Sequence, residues 1–215
     1  MQLDQITVKN FPLIAAPQSD VVETPSKAGI RYVVARNGLW RAIDKSWLSA
    51  LTPVALDPDA VIPYGRVAQT VKFLCGMPPA SLWREFAAVA KTALPNEVAV
   101  AMVWNSMTDC WRLAVRESIE ANGGYVHYQE AELNEDEEMV VDIHSHGHHP
   151  AFFSKTDDSD DFGSIKVAAV LGRVGTVAAQ LVARLMLIDR CLDLELLATG
   201  GWKLNKENNE TQDSQ

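Results

Sequence analysis

The run Val98-Ala99-Val100-Ala101-Met102-Val103-Trp104 constrains this chain more than any other segment. Seven consecutive apolar residues, several of them β-branched, fit a strand covered on both faces, because a strand with one wet face alternates apolar and polar side chains. The preceding segment reads as a helix. Leu82, Trp83, Phe86, Val89, Ala90 and Ala93 recur at helical spacing, Ser81 stands where a cap would, and Pro95 ends the run. Downstream, Trp111, Leu113 and Val115 alternate with Arg112, Ala114 and Arg116 as a half-exposed strand. Asn122-Gly123-Gly124 then turns the chain into an alternating Tyr125–Glu130. Met139–Ile143 and Ile165–Leu171 read as strands, and Val177–Ile188 as a strand or a helix.

Before about Met77 the pattern is β-rich. Ile30–Ala35 and Leu39–Ile43 flank Arg36-Asn37-Gly38, and Asn-Gly between apolar runs predicts a tight hairpin with a type I′ turn. Pro53, Pro58, Pro63 and the Pro78-Pro79 pair punctuate the rest of this region, with a boundary expected at Gly76–Pro79. The expected organisation is a small β-rich N-terminal domain over 1–77, an α/β domain over 78–204 and a polar tail over 205–215. Trp40, Trp47 and Trp83 read as core residues.

With 215 residues, 47% of them hydrophobic, the chain can bury a full core and is not a disordered segment. No apolar run reaches the roughly 18 residues of a membrane span, and Met1-Gln2-Leu3-Asp4 lacks the basic opening of a signal peptide, so no membrane partner is expected. Cys75, Cys110 and Cys191 are odd in number and show no Cys-x-x-Cys spacing, which fits reduced thiols in a cytoplasm. The net charge of −9 is unevenly spread. Residues 1–96 hold 10 Lys+Arg against 7 Asp+Glu, whereas residues 97–215 hold 9 against 21, much of the excess lying in an acidic loop at Glu130–Glu138. An acidic half repels phosphate backbones, which argues against direct nucleic-acid binding and leaves room for a cation.

Four of the five histidines fall within six residues, in Asp142-Ile143-His144-Ser145-His146-Gly147-His148-His149. If the strand at Met139–Ile143 continues to His146, its period of two places His144 and His146 on one face. Two imidazoles at a strand end, joined by a carboxylate from the next element, form a three-ligand metal site with an open position. Asp157 is a candidate third ligand, with Asp158, Asp160 and Asp161 as rivals. The same residues also read as a helix start, with Ser154 as N-cap and Asp157 closing a capping box. A Ser-His-Asp hydrolase is the competing reading, but it lacks a Gly-x-Ser-x-Gly elbow and leaves the His-x-His pair unexplained.

His-x-His, seven residues, then Ser-x-x-Asp resembles the zinc motif of the JAMM (JAB/MPN) metalloproteases, matched here by His144, His146, Ser154 and Asp157. The resemblance covers roughly residues 80–190. It implies a cytidine-deaminase-like α/β/α sandwich with a mixed sheet, a JAMM metalloprotease domain, and one zinc ion on His144, His146 and Asp157. The family motif also has a Glu at its first core strand. Glu97, opening the apolar run, is the candidate, with Glu117 and Glu120 fitting less well. The resemblance implies that Glu97 acts as general base and then acid, and that Ser154 stabilises the oxyanion. Gly147 stands where the family more often has Pro, and His148 and His149 are additional, read as surface residues.

Phe153–Gly163 resembles the JAMM proteins of the bacterial PRTRC cassettes, which are encoded beside ThiF-related and ubiquitin-like proteins. The implied function is a zinc isopeptidase cutting at the C-terminus of a ubiquitin-like protein or its conjugates, with a ThiF-like activating enzyme as a further partner. The alternatives are a non-catalytic MPN-type scaffold and a zinc hydrolase of small amides or bases. The last lacks the Cys-x-x-Cys ligand pair of the deaminases.

Overall fold

The computed structural model describes residues 3–18, 22, 28–58, 61–115, 118–122, 125–128, 132–197 and 201–205. The chain divides into two compact units, Met1–Gly76 and Met77–Gln215.

The first unit opens with helix α1 (Leu3–Asn10), which the sequence reading did not expect. Its Ile6, Thr7 and Val8 are β-branched and poor helix formers, so the segment resembles the strand-rich stretch after it. Strands β1 (Leu13–Ala15), β2 (Gly29–Ala35), β3 (Gly38–Asp44), β4 (Leu48–Leu56) and β5 (Thr70–Phe73) then pair in sequence order. Val33, Ala35, Trp40, Ala42 and Leu51 build a core on one face of this sheet. The β2–β3 hairpin forms, but not with a type I′ turn. Ala35 pairs with Gly38, leaving Arg36 and Asn37 as the turn, and neither has a positive φ. The Asn37 side chain is otherwise engaged, its amide bonding both the carbonyl and the N–H of Val67. Gly38, directly after the turn, takes a positive φ of 125°, and a Cβ there would run into the Ala55 carbonyl.

The second unit begins with α2 (Ala80–Ala93), whose buried residues are Leu82, Phe86 and Ala90. Ser81 does not cap it. The first helical bond runs from Leu82 N–H to the Pro79 carbonyl, so Pro79 is the N-cap and no side-chain cap bond is made. Strands β6 (Ala99–Asn105), β7 (Cys110–Val115), β8 (Ser118–Asn122), β9 (Tyr125–Tyr128) and β10 (Glu137–Ser145) come next. After them come α3 (Lys155–Asp161), β11 (Ile165–Gly172), β12 (Gln180–Leu187), β13 (Arg190–Leu196) and β14 (Trp202–Leu204).

Seven of these strands form one sheet, ordered β14-β13-β12-β11-β10-β6-β7, while β8 and β9 pair separately. Among the described residues, only β10 and β11 run parallel in the seven-stranded sheet. The class is therefore mixed α/β, with few helices. β6 is buried from Ala99 through Trp104, as an apolar run without alternation requires.

The edges depart from expectation. On β7 the buried residue is Ala114, packed with Ala101, Val103 and Met139, while Trp111 and Leu113 are only half-buried because both faces of this edge strand are partly covered. Val177 is exposed and precedes β12 instead of beginning it. The expected turn at Gly123-Gly124, part of the acidic loop (residues 130 and 131) and the tail from 206 onward lie outside the described residues.

Candidate metal centre

The carboxyl end of β10 is where the sheet changes character, flanked by antiparallel β6 on one side and parallel β11 on the other. Open α/β sheets bind ligands at such ends, because neighbouring connections leave in different directions. Here Ser145 N–H donates to the Val98 carbonyl on the β6 side and His146 N–H to the Leu171 carbonyl on the β11 side. The chain then turns at Gly147, whose φ of 51° is closed to a proline ring. Ser145 points into the core, where its Oγ accepts from Val98 N–H at 3.1 Å, while His144 and His146 face the other way.

The two imidazoles converge, with Nε2 of His144 and Nε2 of His146 lying 3.1 Å apart. His146 is oriented from behind, since its Nδ1–H donates to the Pro150 carbonyl at 3.2 Å. A carbonyl can only accept, so the proton sits on Nδ1 and the Nε2 lone pair is left for a ligand. Phe152 stands edge-on to the same ring, with centroids 4.7 Å apart. Burial pushes the His144 imidazole below its ordinary pKa range. Asp157, Asp142 and Glu97 pull it back and His146 adds to the lowering, yet the net direction stays downward. A neutral ring at neutral pH is what metal ligation needs.

Asp157 arrives from α3, and both readings of its motif are realised at once. Its Oδ2 accepts from Ser154 N–H at 2.6 Å and from Ser154 Oγ–H at 2.7 Å, while its own N–H donates to Ser154 Oγ at 3.2 Å. That is a complete capping box. Its Oδ1 faces the histidines, 3.5 Å from His144 Nε2. One oxygen holds the helix and the other joins the imidazoles.

The donor set fits a divalent cation. Ligand atoms of His144, His146 and Asp157 all lie within 4.8 Å of one another. Bonds of about 2.0–2.2 Å to a tetrahedral zinc would put donors roughly 3.3 Å apart, close to the 3.1 Å between the imidazoles and the 3.5 Å from His144 to Asp157, with the third pair within 4.8 Å. The side chains of His144 and Asp157 keep 21% and 22% exposure, so one side of the cluster opens to solvent. A closed structural site would have a fourth protein ligand there.

Residues 79–186, half of the chain, match the prokaryotic homologs of the JAB domain, and residues 1–74 match a domain of unknown function, DUF2016. The chain belongs to the JAB-domain family. No curated protein matches it.

Within this JAB domain the other expected site residues take separate places. Glu97 is partly exposed, two residues before Ala99, the partner of His144. Continuing that register sets Glu97 across from His146, and its charge reaches His144. Ser154 lies at the site, but its single hydroxyl proton is given to Asp157. Glu117 is outside the described residues, and Glu120 belongs to the separate β8–β9 pair. His148 and His149 are exposed and not part of the cluster. The rival aspartates separate: Asp160 is exposed, whereas Asp158 and Asp161 bind Arg184. Arg184 and Lys166 were overlooked by sequence reasoning. Each is a lone cation in an otherwise buried strand, a position that requires a carboxylate partner, and that was the available signal.

Proposed function

We propose that this JAB domain is a zinc-dependent isopeptidase that hydrolyses a peptide or isopeptide bond at the C-terminus of a ubiquitin-like protein. The observation that carries the reading is the convergence of His144, His146 and Asp157 with one side open to solvent.

His144 Nε2, His146 Nε2 and Asp157 Oδ1 would hold the ion. When bound, zinc supplies Lewis-acid polarisation of the scissile carbonyl and lowers the pKa of a water to about 7. Glu97 takes one proton from the attacking water onto its carboxylate as the water oxygen bonds to the carbonyl carbon. It then returns that proton to the amine nitrogen as the C–N bond breaks, which leaves a free amine and a carboxylic acid, whose remaining water-derived proton passes to the amine or to solvent. Ser154 stabilises the oxyanion only if its hydroxyl proton leaves Asp157 Oδ2 and turns to the substrate. The Ser154 and Pro150 contacts meanwhile keep Asp157 and His146 in their ligating orientations.

The ubiquitin-like substrate and a ThiF-like activating enzyme rest on the resemblance of Phe153–Gly163 to the PRTRC proteins, and the α/β/α sandwich on the JAB family. We place the protein in the cytoplasm. In support, the three cysteines are odd in number and show no Cys-x-x-Cys spacing, as in proteins of a reducing compartment. The acidic C-terminal half supports a protein substrate over nucleic acid.

The rival reading is a metal-binding scaffold that does not cleave. The Glu97→Ala variant separates the two. We expect it to keep zinc at the wild-type stoichiometry and lose cleavage of a ubiquitin-like fusion, with chelator abolishing wild-type cleavage and zinc restoring it. Wild-type protein that holds zinc but cleaves no such fusion favours the scaffold, and undiminished cleavage by Glu97→Ala removes Glu97 as the base.

A further inference from the structure

Helix α3 delivers the aspartate of the metal centre, yet it has no apolar face of its own. Its seven residues, Lys155-Thr156-Asp157-Asp158-Ser159-Asp160-Asp161, include no hydrophobic side chain. A helix this short is not stable by itself and depends on what it packs against. Only two of its residues turn inward, Asp157 and Asp161, one turn apart. The inner face of the helix is a pair of carboxylates.

Asp161 is buried, and its partners come from the sheet. Its Oδ1 lies 2.7 Å from Lys166 Nζ on β11, and its Oδ2 accepts from Arg184 Nη2 at 2.7 Å and Nε at 3.2 Å on β12. Both the Arg184 and Asp161 side chains are 8% exposed, so this pair is desolvated and held by geometry. Arg184 Nη1 also reaches Asp158 at 2.6 Å, and Lys166 reaches Asp142 on β10 at 2.7 Å. The register makes this possible. Asp142, Ala168 and Arg184 lie abreast on three adjacent strands, and the small Ala168 leaves room for both long cations.

The network touches the ligand segment from two more directions. Asp142 stands two residues before His144 on the same face of β10. The Arg184 guanidinium also lies 3.8 Å from the centre of the Phe153 ring, immediately before the Ser154 cap.

We propose that Lys166 and Arg184 are positioning residues for the metal centre, holding α3 against the sheet through Asp161 and so setting the distance from Asp157 to the two imidazoles. This rests on the metal-site reading above. Neither cation touches the ion or the substrate, and their effect passes through Asp157.

The test is cobalt affinity of the full chain, read from the visible absorption of the bound ion, in a double-mutant cycle of Arg184→Gln with Asp157→Ala. Partners one shell outside a metal ligand typically change affinity about 10- to 100-fold, and Arg184→Gln should weaken binding within that range. In the Asp157→Ala background the same substitution should change the weaker two-imidazole binding no further. Arg184→Lys, which keeps the charge but loses the fork, should restore part of the affinity. Equal losses in both backgrounds would make Arg184 a general stabiliser and overturn the proposal, as would unchanged affinity. If Arg184→Gln does not fold, Asp158→Asn at the exposed end of the network should give a smaller loss in the same cycle, and no loss overturns the proposal. Wild-type protein that binds no cobalt overturns the metal site itself, whereas wild-type binding with an indifferent Arg184→Gln overturns this inference alone.

Discussion

Ser154 and Asp157 are each asked to do two things. Ser154 Oγ accepts the Asp157 N–H while donating its own proton to Asp157 Oδ2. Removing an N-cap hydroxyl typically costs about 1 kcal/mol. Ser154→Ala should therefore lower the stability of metal-free protein by about 1 kcal/mol in urea unfolding. An unchanged urea midpoint would mean that the hydroxyl supports no cap in solution and leave only a part in chemistry. The His-x-His spacing was legible in the sequence because the period of a strand is local covalent geometry. The commitment of the Ser154 proton was not, since it depends on which Asp157 oxygen the histidines face.

Strand β7 is an edge, held to the sheet by β6 and by a side-chain bridge that passes over it. Arg112 Nε and Nη2 donate to the two carboxylate oxygens of Glu137 on β10, at 2.8 and 2.7 Å. Those bonds, helped by Asn134 N–H, hold the Glu137 carboxyl down to about 2 from its usual 4.5. A carboxyl depressed in the folded state favours folding fully above its unfolded pKa and loses that contribution as the pH falls through the folded value. The stability of the wild type should thus decline between about pH 4.5 and pH 2 through this group. Arg112→Gln should flatten that part of the curve, as urea midpoints measured across the window would show. A slope unaltered by the substitution would assign the acid sensitivity to other carboxylates. Strand β13 shows the opposite kind of legibility. Leu192 and Leu194 are buried and alternate with exposed Cys191, Asp193 and Glu195, a pattern present in the sequence but not read there as a strand.

At the scale of the whole molecule, the candidate ligands and the network behind them all belong to the unit Met77–Gln215. That unit has its own sheet, with β6 and β11 buried along nearly their whole length. A fragment spanning 77–215 is expected to bind zinc or cobalt with the stoichiometry of the full chain, measured by metal analysis after gel filtration. A folded fragment without metal would show that the N-terminal unit is needed to complete the centre.

The residue types, the spacing and the apolar run Val98–Trp104 were enough to single out His144 and His146 as candidate ligands, with Asp157 one of several candidate aspartates, and to indicate the mixed α/β class, because strand period and apolar runs act over a few neighbouring residues. The positions of Lys166 and Arg184 behind that set were decided only in three dimensions. Arg184 reaches Asp161 across 23 residues of sequence, and Lys166 reaches Asp142 across 24. No local pattern specifies contacts of that range. They exist because burying two cations in a sheet demands carboxylates, and the acid-rich helix that carries Asp157 is the element that supplies most of them.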